Sequence, residues 1–257
     1  MNKRVIIFLS VLFVPVLVLA GILCFTQRNN SSDNNIVING SSKVVEGEDL
    51  RVVFVDFVEN EDRYDLVAKV ENPNELLGFS DFSYIFKVLD EQDELLLEKE
   101  GRSFILPKES KYLIELGISL DKKPKRVKLE IIPGIWQELK AYKTPSFIVL
   151  NQRYNIEDKR TVLSGLLQNN SLFSFAKVSV NAILLGSGNK VVGVNRTFAG
   201  QLLSGEERYI EFLWRGKLSE DVDIELKVEV NVFQSESYMN VYGEKVGYER
   251  DVKSKKK

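Results

Sequence analysis

Hydrophobic and polar residues alternate at a period of two along several short segments of the chain. The clearest case is Val222–Val232, in which six apolar residues alternate with Asp, Glu, Lys, Glu and Asn, and Arg126–Ile132 and Lys177–Leu184 follow the same pattern. Such alternation is typical of strands with one buried face. Turn-forming residues separate the segments, as at Asp90–Asp93 and Gly186–Asn189. Beyond the first 26 residues no stretch keeps helical apolar spacing for three turns, so the pattern predicts an all-β protein.

The patterned part of the chain contains an internal repeat of two copies, offset by 97 residues. Three blocks share this offset, with a one-residue slip near Val88 and Leu184. The blocks are Leu66–Asn72 with Leu163–Asn169, Leu106–Leu113 with Leu203–Ile210, and Val127, Leu129 and Ile131 with Ile224, Leu226 and Val228. We therefore expect Leu66 and Leu163 to occupy equivalent buried sites, and likewise Tyr112 and Tyr209.

Six or seven short strands in about 95 residues predict an antiparallel β-sandwich for each copy. The fold prediction is all-β, with two tandem immunoglobulin-like antiparallel β-sandwiches preceded by one transmembrane helix. We place the sandwiches at residues 44–137 and 145–235, joined by a short linker over Glu138–Thr144. Residues 236–257 are predicted to be an edge strand, over Ser237–Tyr242, or a basic tail.

One motif resembles a known family. The segment Phe86-Lys87-Val88-Leu89-Asp90 is similar to the Phe-x-Leu-Tyr-Asp signature of FxLYD domains, small β-sandwiches found behind bacterial export signals. The second copy has Ala182–Gly186 at this place, which departs from the signature, although Gly165–Asn169 resembles the wider pattern of the family. A looser similarity exists to sandwiches of the late-embryogenesis-abundant type. The resemblance implies a fold and no catalytic residues.

The N-terminal region has the pattern of a membrane segment. Residues 5–26 carry no charge, and Val5–Phe25 would form about 31 Å of helix, close to the thickness of a bilayer's hydrocarbon core. Lys3 and Arg4 precede this run, so the positive-inside rule places residues 1–4 in the cytoplasm and the rest outside. Cleavage after Val18-Leu19-Ala20 is the alternative, and it would give a secreted protein.

Residues 27–43 are rich in Asn, Ser and Asp, a composition that predicts a flexible stalk. The expected localisation is therefore the cell membrane, with a single pass and extracytoplasmic C-terminal domains.

Composition narrows the possible chemistry. The chain contains 35 Lys and Arg, 37 Asp and Glu, no histidine and one cysteine, Cys24. Catalysis by Ser-His-Asp or Cys-His groups and most zinc sites require histidine, and one thiol cannot form a disulfide within the chain. A formal net charge of −2 gives no sign of the basic surface that nucleic-acid binding requires. We predict no enzyme activity, no cofactor and no nucleic-acid partner.

Two other chemistries rest on carboxylates. Acidic clusters at Glu59–Asp62, Asp90–Glu94 and Ser219–Asp223 lie at predicted strand ends, where carboxylates hold Ca²⁺ in some extracellular sandwiches. None has the spacing of a calcium loop, and acidic turns are the ordinary alternative. A carboxylate pair in a cleft can also hydrolyse glycosidic bonds, and a carboxylate of raised pKa in a concave pocket would favour this alternative.

Aromatic residues supply the candidate binding positions. Tyr238, Tyr242 and Tyr248 follow the last predicted strand and are the candidate partner contacts. For Trp136 and Trp214 we favour a packing role. The predicted function is a membrane-anchored, non-catalytic binding, adaptor or spacer module at the cell envelope, with the membrane and an envelope protein as partners. The alternative is a secreted or surface carboxylate-dependent enzyme, or a calcium-dependent adhesin, on the same scaffold.

Overall fold

A computed structural model describes residues 46–139 and 141–243, and most of these residues lie in strands. The first half of the described chain contains β1 (Arg51–Asn60), β2 (Arg63–Glu71), β3 (Leu77–Leu89), β4 (Leu95–Ile105), β5 (Ser110–Ile118), β6 (Arg126–Ile132) and β7 (Trp136–Glu138). The second half contains β8 (Phe147–Ile156), β9 (Arg160–Asn169), β10 (Phe175–Leu185), β11 (Val191–Leu202), β12 (Glu207–Arg215) and β13 (Asp223–Glu229). Every strand pairing is antiparallel, which confirms the predicted all-β class.

The strands form four sheets, two in each half. In the first half, sheet A1 has the order β1-β2-β5, and sheet B1 has the order β4-β3-β6, with β7 paired to β3. In the second half, sheet A2 has the order β8-β9-β12, and sheet B2 has the order β11-β10-β13. The strand order of A2 is therefore the strand order of A1, and that of B2 is that of B1.

The strand bounds reproduce the 97-residue period seen in the sequence. Strand β5 begins at Ser110 and β12 at Glu207, while β6 begins at Arg126 and β13 at Asp223. Leu66 on β2 and Leu163 on β9 are both buried, with 0% and 1% of their surface exposed. These two leucines occupy the equivalent buried sites that the repeat predicts.

The two sheets of each half enclose a shared hydrophobic core, so each half is built like a β-sandwich. In the first half, Leu66 and Leu113 of sheet A1 pack with Phe82, Phe86 and Val88 of sheet B1. In the second half the core contains Leu163, Phe212, Val180, Leu184 and Trp214. Burying one such side chain contributes about 1.5–3 kcal/mol, and these cores are the main favourable contribution to folding.

The expectation for Tyr112 and Tyr209 was wrong in one respect. Both lie at the same position, on β5 and β12, but Tyr112 is 3% exposed and Tyr209 is 62% exposed. The difference arises because the second half covers the outer face of A1. There Tyr112 and Ile114 of β5 pack against Ile183 and Val194 of sheet B2, while no described residue packs over A2 in the same way.

Other residues also link the halves, which together form one compact unit. Leu139, which lies in the segment predicted as a linker, is fully buried in the core of the second half. Leu106, the residue that follows β4, belongs to the same core. The Tyr112 hydroxyl donates a hydrogen bond of 2.7 Å to Glu225 on β13.

The segment after β13 is not the predicted edge strand. Val232–Gln234 forms a 3-10 turn, and Glu236–Tyr242 forms an α-helix, α1. The backbone N–H of Tyr238 donates to the Ser235 hydroxyl, which caps the helix. A helix of seven residues is shorter than the three turns that a periodic pattern requires, so the alternation rule missed it.

Several sequence predictions concern residues outside the described ranges. These are the cytoplasmic end (1–4), the membrane segment (5–26), the stalk (27–43), and Tyr248 with the basic residues after it. Among residues 46–139 and 141–243, no helix has the length and apolar character that membrane crossing requires. The membrane anchor therefore stays a prediction.

Candidate functional site

A cleft of about 620 Å³ lies where the two halves meet, and it is partly open to solvent. Residues of β3, β4 and β5 line it from the first half, and residues of β10, β11, β13 and α1 line it from the second. Its position between the halves means that neither half forms the site alone.

The floor of the cleft holds a buried ion pair. The Lys111 ammonium lies 3.1 Å from a carboxylate oxygen of Glu229, and the two side chains are only 1% and 8% exposed. Lys111 also donates to the Phe104 carbonyl at 2.9 Å and lies 3.4 Å from the centre of the Phe104 ring. Because buried charges are tolerated only with partners, Lys111 and Glu229 depend on each other, and they connect β5 to β13.

Two acceptor atoms at this floor have no hydrogen-bond partner among the described residues. They are Oε1 of Glu229 and Oδ1 of Asn231. The Asn231 amide donates to the Ser80 carbonyl across the halves at 2.9 Å, so its orientation is fixed. A buried acceptor without a donor costs about 1–3 kcal/mol. A hydroxyl or N–H group that reached either atom through a small movement of the neighbouring side chains would recover this cost.

The register of sheet B2 explains how these side chains come together. Glu229 of β13, Ser179 of β10 and Phe198 of β11 form one row across the sheet. The next row on the same face of the sheet contains Asn181 and Arg196. The Arg196 guanidinium donates to the Asn181 side chain at 2.9 Å and to the Ile114 carbonyl at 3.3 Å. The rows therefore place a carboxylate, a hydroxyl and an aromatic ring on one surface that faces the cleft.

The rim carries an exposed aromatic ring and paired charges. Phe198 is 51% exposed, and the Lys177 ammonium lies 4.1 Å from the centre of its ring. On the opposite side, Arg102 forms an ion pair with Asp81. Below the rim the Tyr84 hydroxyl donates to Glu115 at 2.8 Å, and burial together with this carboxylate raises the pKa of Tyr84. Tyr84 is therefore neutral at physiological pH.

A second cavity, of about 250 Å³, lies beside the first and is lined by Glu109 and Glu229. Burial raises the pKa of Glu109, and the charge of Glu229 adds to this effect, while Lys111 opposes it. Glu109 is thus a carboxylate of raised pKa beside a cavity, which is the feature expected of the enzyme alternative. However, its carboxylate already accepts the Leu106 N–H at 2.7 Å.

The repeat shows that Glu109 is a structural residue of the β4–β5 turn. Its counterpart Glu206 accepts the Leu203 N–H at 2.8 Å in the β11–β12 turn. This backbone hydrogen bond, with help from Arg208, lowers the pKa of Glu206. The two carboxylates make the same bond, and the pKa values shift in opposite directions because the second half covers only Glu109.

This pair yields a prediction with opposite signs. The ordinary pKa of a glutamate is 4.5, and the folded-state pKa of Glu109 lies above it. Its contribution to stability is therefore present below pH 4.5 and is lost as pH rises through the folded-state pKa. We expect Glu109→Gln to gain stability relative to the wild type as pH rises through this window, as measured by urea unfolding.

Glu206→Gln is the matched control. The contribution of Glu206 is present above pH 4.5 and is lost as pH falls through its lower folded-state pKa. This variant should therefore lose stability relative to the wild type as pH rises through that lower window. The same pH trend in both variants would contradict the different environments of the two turns.

Of the predicted aromatic contacts, Tyr238 lies in the core, Tyr242 packs beside it, and Tyr248 lies outside the described residues. Tyr238 is fully buried, and its hydroxyl donates to the Lys143 carbonyl at 2.8 Å, so its assignment as a partner contact was wrong. Tyr242 is half-buried, with its ring centre 4.9 Å from that of Tyr238. Trp214 is buried and donates to the Val194 carbonyl at 2.9 Å, and Trp136 stacks on Phe79 at 3.6 Å.

The acidic cluster at Asp90–Glu94 forms a turn. The Asp90 carboxylate accepts the N–H groups of Gln92 and Glu94, both at 3.0 Å, and lies 3.5 Å from the Lys122 ammonium. Within the described ranges, no group of three Asp, Glu or Cys side chains is placed to hold a metal ion. The described acidic turns therefore give no support to the calcium alternative.

Sequence reasoning missed Lys111, Glu229 and Asn231. Glu229 occupies a polar position of an alternating strand, which predicts a solvent-exposed side chain. Its burial depends on contact with the other half, a non-local fact that local alternation does not record. No protein-family model matches the chain, and a search of curated proteins gives no match. The similarity to FxLYD domains accordingly stays a prediction from the residues.

Proposed function

We propose that this protein is a membrane-anchored, extracytoplasmic binding module, built from two tandem immunoglobulin-like sandwiches, and that it acts without catalysis. The observation that carries the proposal is the cleft between the halves, whose floor presents buried acceptors of Glu229 and Asn231 without partners. The N-terminal apolar segment and the composition of residues 27–43 support placement at the cell envelope.

The chemistry of the cleft favours a neutral ligand rich in hydroxyl groups. Charges of both signs line it, and most are already paired, as in Lys111–Glu229 and Arg102–Asp81. A strongly charged ligand would meet like charges as well as opposite ones. A hydroxyl group both donates to the free acceptors and accepts from groups such as Lys177. The exposed Phe198 ring offers an apolar surface for the face of a sugar ring, so an envelope oligosaccharide fits best.

The catalytic alternative has less support. The chain has no histidine, and Glu109, the carboxylate of raised pKa, is used by a turn that the second half repeats with Glu206. A glycosidase needs a pair of carboxylates that both reach the substrate. In the cleft, the Glu229 carboxylate is already bound to Lys111 through one oxygen. We therefore assign the cleft to binding.

The proposal predicts that Phe198→Ala weakens oligosaccharide binding. Full-length protein in lipid nanodiscs would be titrated calorimetrically with two probes, the tetramer of N-acetylglucosamine and maltotetraose. We expect at least one of them to bind, and the variant to lose about tenfold in affinity, since an aromatic anchor at a binding surface contributes more than about 1 kcal/mol.

Tyr209→Ala is the control, because Tyr209 is the other strongly exposed aromatic residue of the second half and lies on sheet A2, away from the cleft lining. It should leave the affinity unchanged. Binding that is equal in the wild type and Phe198→Ala, or no binding of either tetramer, would contradict the cleft as a saccharide site.

A further inference from the structure

The outer face of sheet A2 is exposed, although its counterpart in the first half is buried. On A1 the positions of Val67, Tyr112 and Ile114 are covered by sheet B2. The same positions on A2 hold Ser164, Tyr209 and Glu211, and around them lie exposed apolar side chains. These are Ile148 (42% exposed), Leu150 (37%), Tyr209 (62%) and Leu213 (51%). A clustered apolar surface of this kind on a sheet is characteristic of an interaction site.

In principle, sheet B1 of a second copy could cover A2 in the way that B2 covers A1, in a head-to-tail arrangement. The charges on B1 make this arrangement unfavourable. A1 is covered by sheet B2, and one row of that covering face has Val194 on β11 beside Ile183 on the central strand β10. The corresponding row of B1, which is the face a second copy would offer, contains Glu98 and Lys87. Lys87 forms ion pairs there with Glu98 at 3.7 Å and Glu130 at 2.6 Å. The exposed face of B1 is therefore charged where the covering face of B2 is apolar.

The register of A2 makes this face complementary to itself. In one row of this face, Tyr209 of β12 lies beside Leu166 of β9, which lies beside Leu150 of β8. In the next row on the same face, these strands contribute Glu211, Ser164 and Arg153 in turn. Arg153 makes no ion pair with any other described residue, so its charge is available. Glu211 and Arg153 thus stand at opposite edges of one row, on either side of the central strand.

We propose that two copies of this protein associate face to face through sheet A2, about a two-fold axis parallel to β9. Such an axis places β8 of one copy over β12 of the other, and β9 over β9. Glu211 then lies opposite Arg153 of the second copy, and Tyr209 lies opposite Leu150 of the second copy. Leu166 and Val162 of the central strand then lie opposite their own copies, and two opposite-charge pairs fix the orientation, as in other isologous interfaces.

Cross-linking in membranes tests the arrangement with the full chain. In a Cys24→Ser background, Leu166→Cys and Val162→Cys each lie on the proposed axis. Sheets that pack face to face lie about 10 Å apart, which is beyond the reach of a direct disulfide, so each variant should instead form a homodimer with a short bismaleimide cross-linker. An axis perpendicular to β9 could bring at most one of the two residues near its own copy, because they lie about 13 Å apart along the strand. Lys87→Cys, on the outer face of B1, is the negative control.

Charge reversal tests the same contact independently. Glu211→Arg and Arg153→Glu, each added to Leu166→Cys, should reduce cross-linking about tenfold by opposing like charges, and the double reversal should restore it. Glu100→Arg makes the same charge change on B1 and should have no effect. Both Glu211 and Arg153 are exposed, so unchanged melting temperatures would exclude misfolding.

The following results would overturn the proposal: no homodimer with Leu166→Cys, a cross-link to a different protein in its place, equal cross-linking through Lys87→Cys, or no restoration by the double reversal. Each outcome is independent of ligand binding at the cleft, because none of the substituted residues lines it.

Discussion

Substitution of Lys111 by methionine should destabilise the protein by about 3–5 kcal/mol, which is the typical cost of leaving one member of a buried ion pair without its partner. The Lys111 ammonium binds the Glu229 carboxylate and the Phe104 carbonyl, and all of these groups are withdrawn from solvent. Without it, the Glu229 carboxylate has no charge partner at the floor of the cleft. The measurement is the free energy of unfolding in urea at neutral pH.

The repeat provides a matched control for this prediction. Arg208 occupies the position in β12 that Lys111 occupies in β5, and it pairs with Glu206 at the surface. Arg208→Met should change the free energy of unfolding little, because exposed ion pairs contribute little to stability. The double substitution Lys111→Met with Glu229→Leu should recover most of the loss, since it removes both charges together. Equal effects of Lys111→Met and Arg208→Met would show that the ion pair is not buried.

Substitution of Tyr238 by alanine should cost about 3–5 kcal/mol, as for other large aromatic residues removed from a core. Tyr238 is fully buried and packs against Phe173 at 5.1 Å and Tyr242 at 4.9 Å between ring centres. Its hydroxyl reaches the Lys143 carbonyl, so helix α1 is attached to the segment between the halves. Tyr238→Phe should cost only about 1 kcal/mol, the usual net contribution of one hydrogen bond.

Val241→Ala is the control in the same helix, because Val241 is 62% exposed and should tolerate the change. Thermal melting followed by near-ultraviolet circular dichroism would report the loss of aromatic packing. If Tyr238→Ala melts like the wild type, helix α1 is not part of the core, and the original interpretation of this segment as a peripheral contact would be the better one.

Local pattern was sufficient to predict the all-β class and to place some of the strands. The alternation of Val222–Val232 and the 97-residue period predicted β13 and its counterpart β6, because strand period and turn chemistry are properties of neighbouring residues. The same rules failed for α1, which is too short to show a helical period. They also predicted equivalent buried sites for Tyr112 and Tyr209, because the sequence does not show that another sheet covers only one of these two repeat positions.

The cleft was beyond local rules for a different reason. Glu229 and Asn231 lie near the end of an alternating segment, and nothing near them in the sequence shows that Lys111 and Ser80 of the first half meet them. The two surfaces to which we assign proposed functions arise where the two repeats differ in their surroundings. The outer face of one A sheet is covered and that of the other is exposed, and the second half of the chain packs beside Glu109 but not beside its counterpart Glu206.

The most direct test of the central claim is a crystal structure of the protein with the bound oligosaccharide tetramer. The account predicts that sugar hydroxyls donate to Glu229 Oε1 and Asn231 Oδ1 and that one sugar ring lies on Phe198. A ligand bound elsewhere on the second half, with the cleft floor unchanged, would contradict it.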